Sequence, residues 1–225
     1  MTAKDVVERL ESLANPDAVE GMARYGITAK KVYGISIPNM RKLAKEIGTD
    51  HELALELWKI DSRETRILAS MVDDISAVTE NQIDSWVEDF DSWEVCDQCI
   101  MNLFEKSPFA RIKAIEWSSR KEEFVKRAGF VLMARIAVSD KTLTPRRFDM
   151  YLPIIKRHSV DERNFVKKAV SWALRQIGKR NRTLHGKAIA VAGQILEIDS
   201  KSAHWIAHDV LRELESDAVI NRLKD

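Results

Sequence analysis

Glu123-Phe124-Val125-Lys126-Arg127-Ala128-Gly129-Phe130 returns 41 residues later as Asn164-Phe165-Val166-Lys167-Lys168-Ala169-Val170-Ser171. Weaker echoes lie at Arg63-Glu64-Thr65-Arg66-Ile67-Leu68-Ala69 and at Ser202-Ala203-His204-Trp205-Ile206-Ala207-His208. A period near forty, carried by segments that mix cations with apolar residues at helical spacing, marks an array of paired helices. Such pairs bury their apolar faces only by stacking on neighbours. The expected fold is therefore all-α: a HEAT-like repeat solenoid of antiparallel helix pairs, forming a single domain over residues 1–225 with a concave basic cleft lined by the inner helices.

The rest of the chain reads the same way. The 8 Gly and 5 Pro of its 225 residues fall between periodic segments, and no strand-like alternation of useful length occurs. Residues 3–14 read as a helix with Val6, Val7, Leu10 and Leu13 inward, and Asn15-Pro16 breaks it before a second helix from Asp17 to Tyr25. A connector from Gly26 to Pro38 leads into a helix with Met40, Leu43, Ala44 and Ile47 on one face, with Gly48 beyond its end. Helices are expected at 51–60, 63–73, 80–90, 91–105, after Ser107-Pro108, and at 121–138, 144–157, 161–179, 184–197 and 201–215. With 45% hydrophobic and 32% charged residues, the chain suits one medium-sized soluble domain or a compact repeat array. It offers no membrane-spanning run, no signal peptide and no disulfide framework, and a reduced cytoplasm is the expected setting.

The formal charge of +1 hides a strong segregation. From Lys126 to Lys187 there are 16 Lys+Arg against four Asp+Glu, a net of +12, while residues 1–125 carry −8 and residues 188–225 carry −3. One anion-binding surface on an otherwise acidic exterior would produce this pattern. So would cations that pair with acids from elsewhere in the fold. The strongest internal repeat lies inside the basic segment, so Arg127, Lys168 and Arg175 are candidates to line the cleft together. Lys179-Arg180-Asn181-Arg182 either ends a helix or clamps a flanking duplex.

Asp91-Ser92-Trp93-Glu94-Val95-Cys96-Asp97 carries the candidate chemistry. Asp91 and Glu94 have the spacing of a capping box, which predicts a helix start at Asp91. Trp93 and Asp97 are four apart and share a helix face. A carboxylate among Val95, Cys96, Cys99 and Ile100 needs an ion-pair partner, a capping role or chemistry. Trp172 has Lys168 four residues before it and Arg175 three after, so its ring can face a cleft between two cations. Trp58, Trp86, Trp117 and Trp205 read as packing residues. Cys96-Asp97-Gln98-Cys99 has the spacing of a redox or half-zinc motif, but no second pair and no βαβ pattern accompany it. His204 and His208 share a helix face without the glutamate of a zinc-protease helix, which favours a surface or packing role.

The runs Ser92 to Asp97, Phe124 to Ala128, Lys167 to Arg175, Met22-Ala23-Arg24-Tyr25 and Gly34-Ile35-Ser36-Ile37-Pro38 resemble, in that spatially separated but ordered fashion, the AlkD family of DNA glycosylases. The resemblance extends from about Met22 into the 170s–180s. One departure is Ser92, where members can carry a second aromatic beside the tryptophan. Carried over by motif, the resemblance implies Trp93, Asp97, Arg127 and Trp172 as the catalytic cluster, with Tyr25 and Arg175 contacting DNA. Lys168, Lys179, Arg180 and Arg182 join them as expected phosphate contacts. It further implies a monomer that excises cationic alkylpurines from double-stranded DNA, without cofactor or metal and without extruding the base. The rival expectation is a non-catalytic HEAT-like module that binds bent, branched or damaged DNA.

Overall fold

The computed structural model describes residues 1–27 and 29–223, and among these it is all-α. Fourteen α-helices follow in order among the described residues: α1 Ala3–Ser12, α2 Pro16–Arg24, α3 Ile37–Ile47, α4 His51–Lys59, α5 Arg63–Val72, α6 Glu80–Glu88, α7 Trp93–Asn102, α8 Ala110–Ser118, α9 Glu123–Ser139, α10 Tyr151–His158, α11 Asn164–Gly178, α12 Arg182–Leu196, α13 Lys201–Leu214 and α14 Asp217–Ile220. Two single 3-10 turns, Phe104–Lys106 and Pro145–Phe148, complete the set. These turns split two segments expected as continuous helices, 91–105 and 144–157. A continuous helix over 144–157 would place Pro153 in its interior, where it has no N–H to donate; instead Asp149-Met150 separates the turn from α10, which puts Pro153 in its own first turn.

Most helices start at a side-chain cap that satisfies an otherwise orphan N–H. Asn15 caps α2 with Pro16 at its first turn, Asp50 caps α4, Thr79 caps α6, Asn181 caps α12 and Ser200 caps α13. Thr2 with Asp5, and Ser62 with Thr65, form reciprocal capping boxes at α1 and α5. The box expected at Asp91 and Glu94 is not formed: Ser92 is the cap of α7, receiving the Val95 N–H, and the helix begins at Trp93. Both acids are engaged by arginines instead, Asp91 by Arg66 at 3.4 Å and Glu94 by Arg63.

The chain forms two compact units, residues 1–107 and 108–225. In the first, α4 and α5 pair, and α5 packs on both α3 and α7. Its core includes the parallel indoles of Trp58 and Trp86, 4.0 Å apart at 3°, with Phe90 and Phe104 beside them. Val6 and Leu10 are buried as expected of α1, whereas Leu13 lies beyond the helix end on the surface. In the second unit α8 pairs with α9 and α12 with α13, and the most extensive packing is between α9 and α11, which carry the two copies of the repeat. Gly129 permits the α8/α9 approach. A Cβ there would lie 2.3 Å from the Ser118 backbone nitrogen, so the repeat tolerates Val170 at the matching place in α11 but not in α9.

The two units differ in pitch. Polar links between neighbouring helix pairs of the first recur at a separation of 31 residues: Tyr33 to Glu64, Trp58 to Asp89, Arg63 to Glu94. In the second they recur at 38: Arg127 to Phe165, Ser171 to Asp209, Lys156 to Gln194, Lys187 to Asp149. The forty-residue period is thus close to the separation of these links in the second unit and longer than that of the links in the first.

Gly34 is the conformational pivot of the connector before α3. Its φ of 79° lies in the left-handed region, and a Cβ would meet the Asn15 carbonyl oxygen at 2.1 Å. Gly34→Ala is expected to lower stability by more than about 1 kcal/mol, the cost of left-handed backbone alone. Urea unfolding measures it, and an unchanged midpoint would show that the connector relaxes freely.

Candidate functional site

Within the first unit, the position of α7 is set by a buried charge network. Arg63, the first residue of α5, is 1% exposed. Its Nε and NH2 donate to Glu94 Oε2 and Oε1 at 2.6 and 2.9 Å, a two-pronged contact to the first turn of α7. Its NH1 donates to Glu64 Oε1 at 2.6 Å and to the Ile35 carbonyl at 2.9 Å. Glu64 in turn accepts the backbone N–H groups of Tyr33, Gly34 and Ile35 at 2.9 to 3.2 Å. One guanidinium therefore joins the connector, α5 and α7. Arg66, a turn further along α5, donates to the Asp89 carbonyl at 2.8 Å and pairs with Asp61 and Asp91.

The α7 residues held by this network are the ones singled out by sequence. Trp93 is half-buried, and its indole N–H donates to the Tyr25 carbonyl at 2.9 Å, which ties α7 to the end of α2. Tyr25 itself is 77% exposed, so its ring projects into solvent beside a fixed backbone. Asp97, one turn beyond Trp93, is only 7% exposed. Cys96 and Cys99 are buried and form no disulfide, and burial pushes the Cys99 thiol up to about 12, so it stays a protonated packing group at neutral pH. No cluster of three or more metal-ligating side chains occurs among the described residues.

In the second unit, Arg127 is 6% exposed on α9, and its NH1 donates to the Phe165 carbonyl at 2.6 Å. Trp172, on α11, is half-buried. With the Gln176 amide turned so that its oxygen faces the donors, that oxygen accepts the Trp172 indole N–H at 3.0 Å and the Lys179 ammonium at 3.2 Å. Both candidate indoles are thus orientated through their N–H groups, which leaves their ring faces as the variable surface.

The expected phosphate contacts divide by their surroundings. Lys168 is exposed and has no ion pair among the described residues, and Arg182 is exposed. Arg175 and Lys179 both bind Glu213 of α13, and Arg175 Nε also lies 3.4 Å from Asp209. Burial alone would raise the Glu213 carboxyl, but the hydrogen bonds from Lys179 and Arg175 outweigh it and hold it below the usual carboxylate range. Arg180 donates to the carbonyls of Ala137 and Leu143 at 2.9 Å each and lies over the Phe148 ring, a capping role within the fold. Part of the +12 segment is therefore neutralised internally by acids of α13.

One tryptophan expected to pack in the core lies at the surface. Trp58, Trp86 and Trp117 are core residues, but Trp205 is 39% exposed, with the Lys167 ammonium 4.9 Å from its ring centroid. The signal was present in its neighbours: Lys201, His204 and His208, on the same helical face, are also exposed.

Arg63→Ala is expected to cost about 3–5 kcal/mol in urea unfolding, because it strands two carboxylates away from water. A loss below about 1 kcal/mol would mean that Glu64 and Glu94 find other partners.

Comparison with known proteins agrees with this architecture. A solved structure described as "a new family of proteins related to the HEAT-like repeat DNA glycosylases with affinity for branched DNA structures" matches with a TM-score of 0.79 and 21% identity, over 95% of each chain. An uncharacterized protein of Listeria innocua is 22% identical over 190 residues, 83% of each chain. The family model described as "DNA alkylation repair enzyme" matches residues 6–203, most of the sequence. Matched by that model over most of its length, this chain belongs to the DNA alkylation repair enzyme family.

Proposed function

We propose that this chain is a monofunctional DNA glycosylase that hydrolyses the N-glycosidic bond of cationic alkylated purines, of the 3-methyladenine and 7-methylguanine type, in duplex DNA. The observation that carries the reading is Asp97, a carboxylate 7% exposed on α7, one turn from an indole whose N–H is fixed to the Tyr25 backbone. A purine alkylated on a ring nitrogen carries positive charge and leaves as a neutral base, so no acid is needed to protonate it. The demand falls on the sugar, which becomes oxocarbenium-like as the bond breaks. A preorganised carboxylate withdrawn from bulk water meets that demand by charge. Water adds its oxygen to the anomeric carbon and releases a proton, which Asp97 is suited to guide.

The other residues follow by their chemistry. The ring face of Trp93 packs on deoxyribose and attracts the developing cation, an effect of up to ~2 kcal/mol when desolvated, and Trp172 offers a further indole face to the DNA. Arg127, buried and already donating to the Phe165 carbonyl, must exchange contacts within the fold to hold a backbone phosphate. Tyr25, Lys168 and Arg182 supply exposed contacts to the duplex. Arg175 and Lys179 must exchange Glu213 for phosphate, and Arg180 acts chiefly by holding its own loop. The lesion is processed within the helix, without base extrusion.

Asp97→Asn is expected to lower release of 7-methylguanine from alkylated duplex by ~10²–10³-fold, and Arg127→Ala to lower it through weaker productive binding. A double-mutant cycle reads whether the two serve the same step, and strictly additive losses would assign them to separate ones. If Asp97→Asn keeps the full rate, the role given to it is wrong. Lys168→Ala is expected to weaken binding evenly across sequences and to flatten the salt dependence by about one phosphate contact.

A second reading is favoured by the structural neighbour, whose description gives it affinity for branched DNA. On that reading this chain holds bent, branched or damaged DNA without breaking a bond. Base release and gel shift on the same alkylated and branched substrates separate the two: tight binding without release supports the binder.

A further inference from the structure

The exposed face of α13 lies outside the residues assigned to base excision, and it sets a tryptophan among polar and basic side chains. Lys201, His204, Trp205 and His208 follow at helical spacing and are all exposed. An exposed tryptophan flanked by imidazoles and an ammonium is unusual on a helix that otherwise buries Ala203, Ile206, Ala207 and Val210. The Lys167 ammonium of α11 stands over the Trp205 ring at 4.9 Å, so the indole is already orientated. Beside that ring opens a depression of about 670 Å³, bordered also by Lys201, Ser200, Glu162 and Asp199. It therefore combines an aromatic wall, two ammonium groups and two carboxylates.

We propose that this depression is a stacking site for unpaired nucleotides of the DNA substrate, such as a single-stranded arm or a displaced base near a junction. Each component has a matching task. The Trp205 indole takes the face of an unpaired base, which a paired base inside a duplex cannot present. Lys167 and Lys201 neutralise the adjoining phosphates. Glu162 and Asp199 accept hydrogen bonds from exocyclic amines, which adenine, cytosine and guanine carry and thymine lacks. A phosphate-only surface would have no use for these two acids. Base–aromatic stacking tolerates any sequence, so the platform reads the single-stranded state first and base identity only weakly. This inference rests on the DNA-binding reading above, but not on bond cleavage.

The test uses fluorescence anisotropy on the full chain with three labelled DNAs: a blunt duplex, the same duplex with a single-stranded overhang, and the overhang strand alone. The wild-type protein is expected to bind the overhang duplex more tightly than the blunt one. Trp205→Ala removes that increment, about 5- to 20-fold, while Trp205→Phe keeps most of it. Blunt-duplex affinity and base release stay unchanged in both variants. Lys167→Gln lowers the salt dependence for the overhang DNA alone. An equal affinity of the wild type for blunt and overhang DNA overturns the platform and leaves the duplex reading intact. Equal losses on all three DNAs with Trp205→Ala also overturn it, since they report a structural role. Binding of none of the three sinks both readings.

Discussion

A single buried guanidinium sets the geometry on which the first unit depends. Arg63 is surrounded by Glu64, Glu94 and the Ile35 carbonyl, and each of those groups belongs to a different segment of chain. Removing three charges from water carries a desolvation cost that their mutual attraction offsets only when every donor and acceptor is placed well. Here Glu64 is satisfied further by three successive backbone N–H groups, so the network closes. The physical consequence is placement. The connector cannot slide along α5, and α7 cannot rotate about its axis without breaking the two-pronged Glu94 contact. Trp93 and Asp97 inherit their directions from that restraint.

The second unit reaches a comparable result by different means. There the links between helix pairs mostly run from one side chain to a carbonyl or an acid of the next pair. Arg127 meets the Phe165 carbonyl, Ser202 the Asp161 carbonyl and Ser171 the Asp209 carboxylate. Lys126 and Arg163 converge on Asp161, whose carboxyl is raised by burial but lowered by more through the Arg163 hydrogen bonds, for a net shift downward. That contribution to stability is full above the unfolded carboxylate range and is lost as pH falls through the lower folded value. Cations that a charge count assigns to a ligand are thus partly spent on joining repeats. Among the remainder, Lys168 is exposed and forms no ion pair among the described residues.

Ser92 has a structural task at the start of α7. Its side chain accepts the Val95 N–H and is fully buried, so a capping hydroxyl opens α7. Asp91 and Glu94, released from capping, are free to pair with Arg66 and Arg63. The local start of α7 and the network that anchors it are therefore two parts of one arrangement.

The sequence by itself determined the all-α class, most helix positions, the paired-helix repeat and the carboxylate–indole face of α7. Helical periodicity, capping residues and Gly/Pro punctuation are local, and a copied segment such as 123–130 and 164–171 declares its architecture without reference to anything distant. Three features were decided only by tertiary structure. Spacing permits either Asp91 or Ser92 to cap α7; in the fold serine caps while Asp91 and Glu94 pair with Arg66 and Arg63 from α5. The 31-residue pitch of the first unit is carried by contacts between unlike residues, which leave no sequence echo. Whether a tryptophan or an arginine faces core, partner or solvent depends on what packs against its helix. That is why Trp205 emerged on the surface and Arg175 beside Glu213, although their local patterns suggested the reverse.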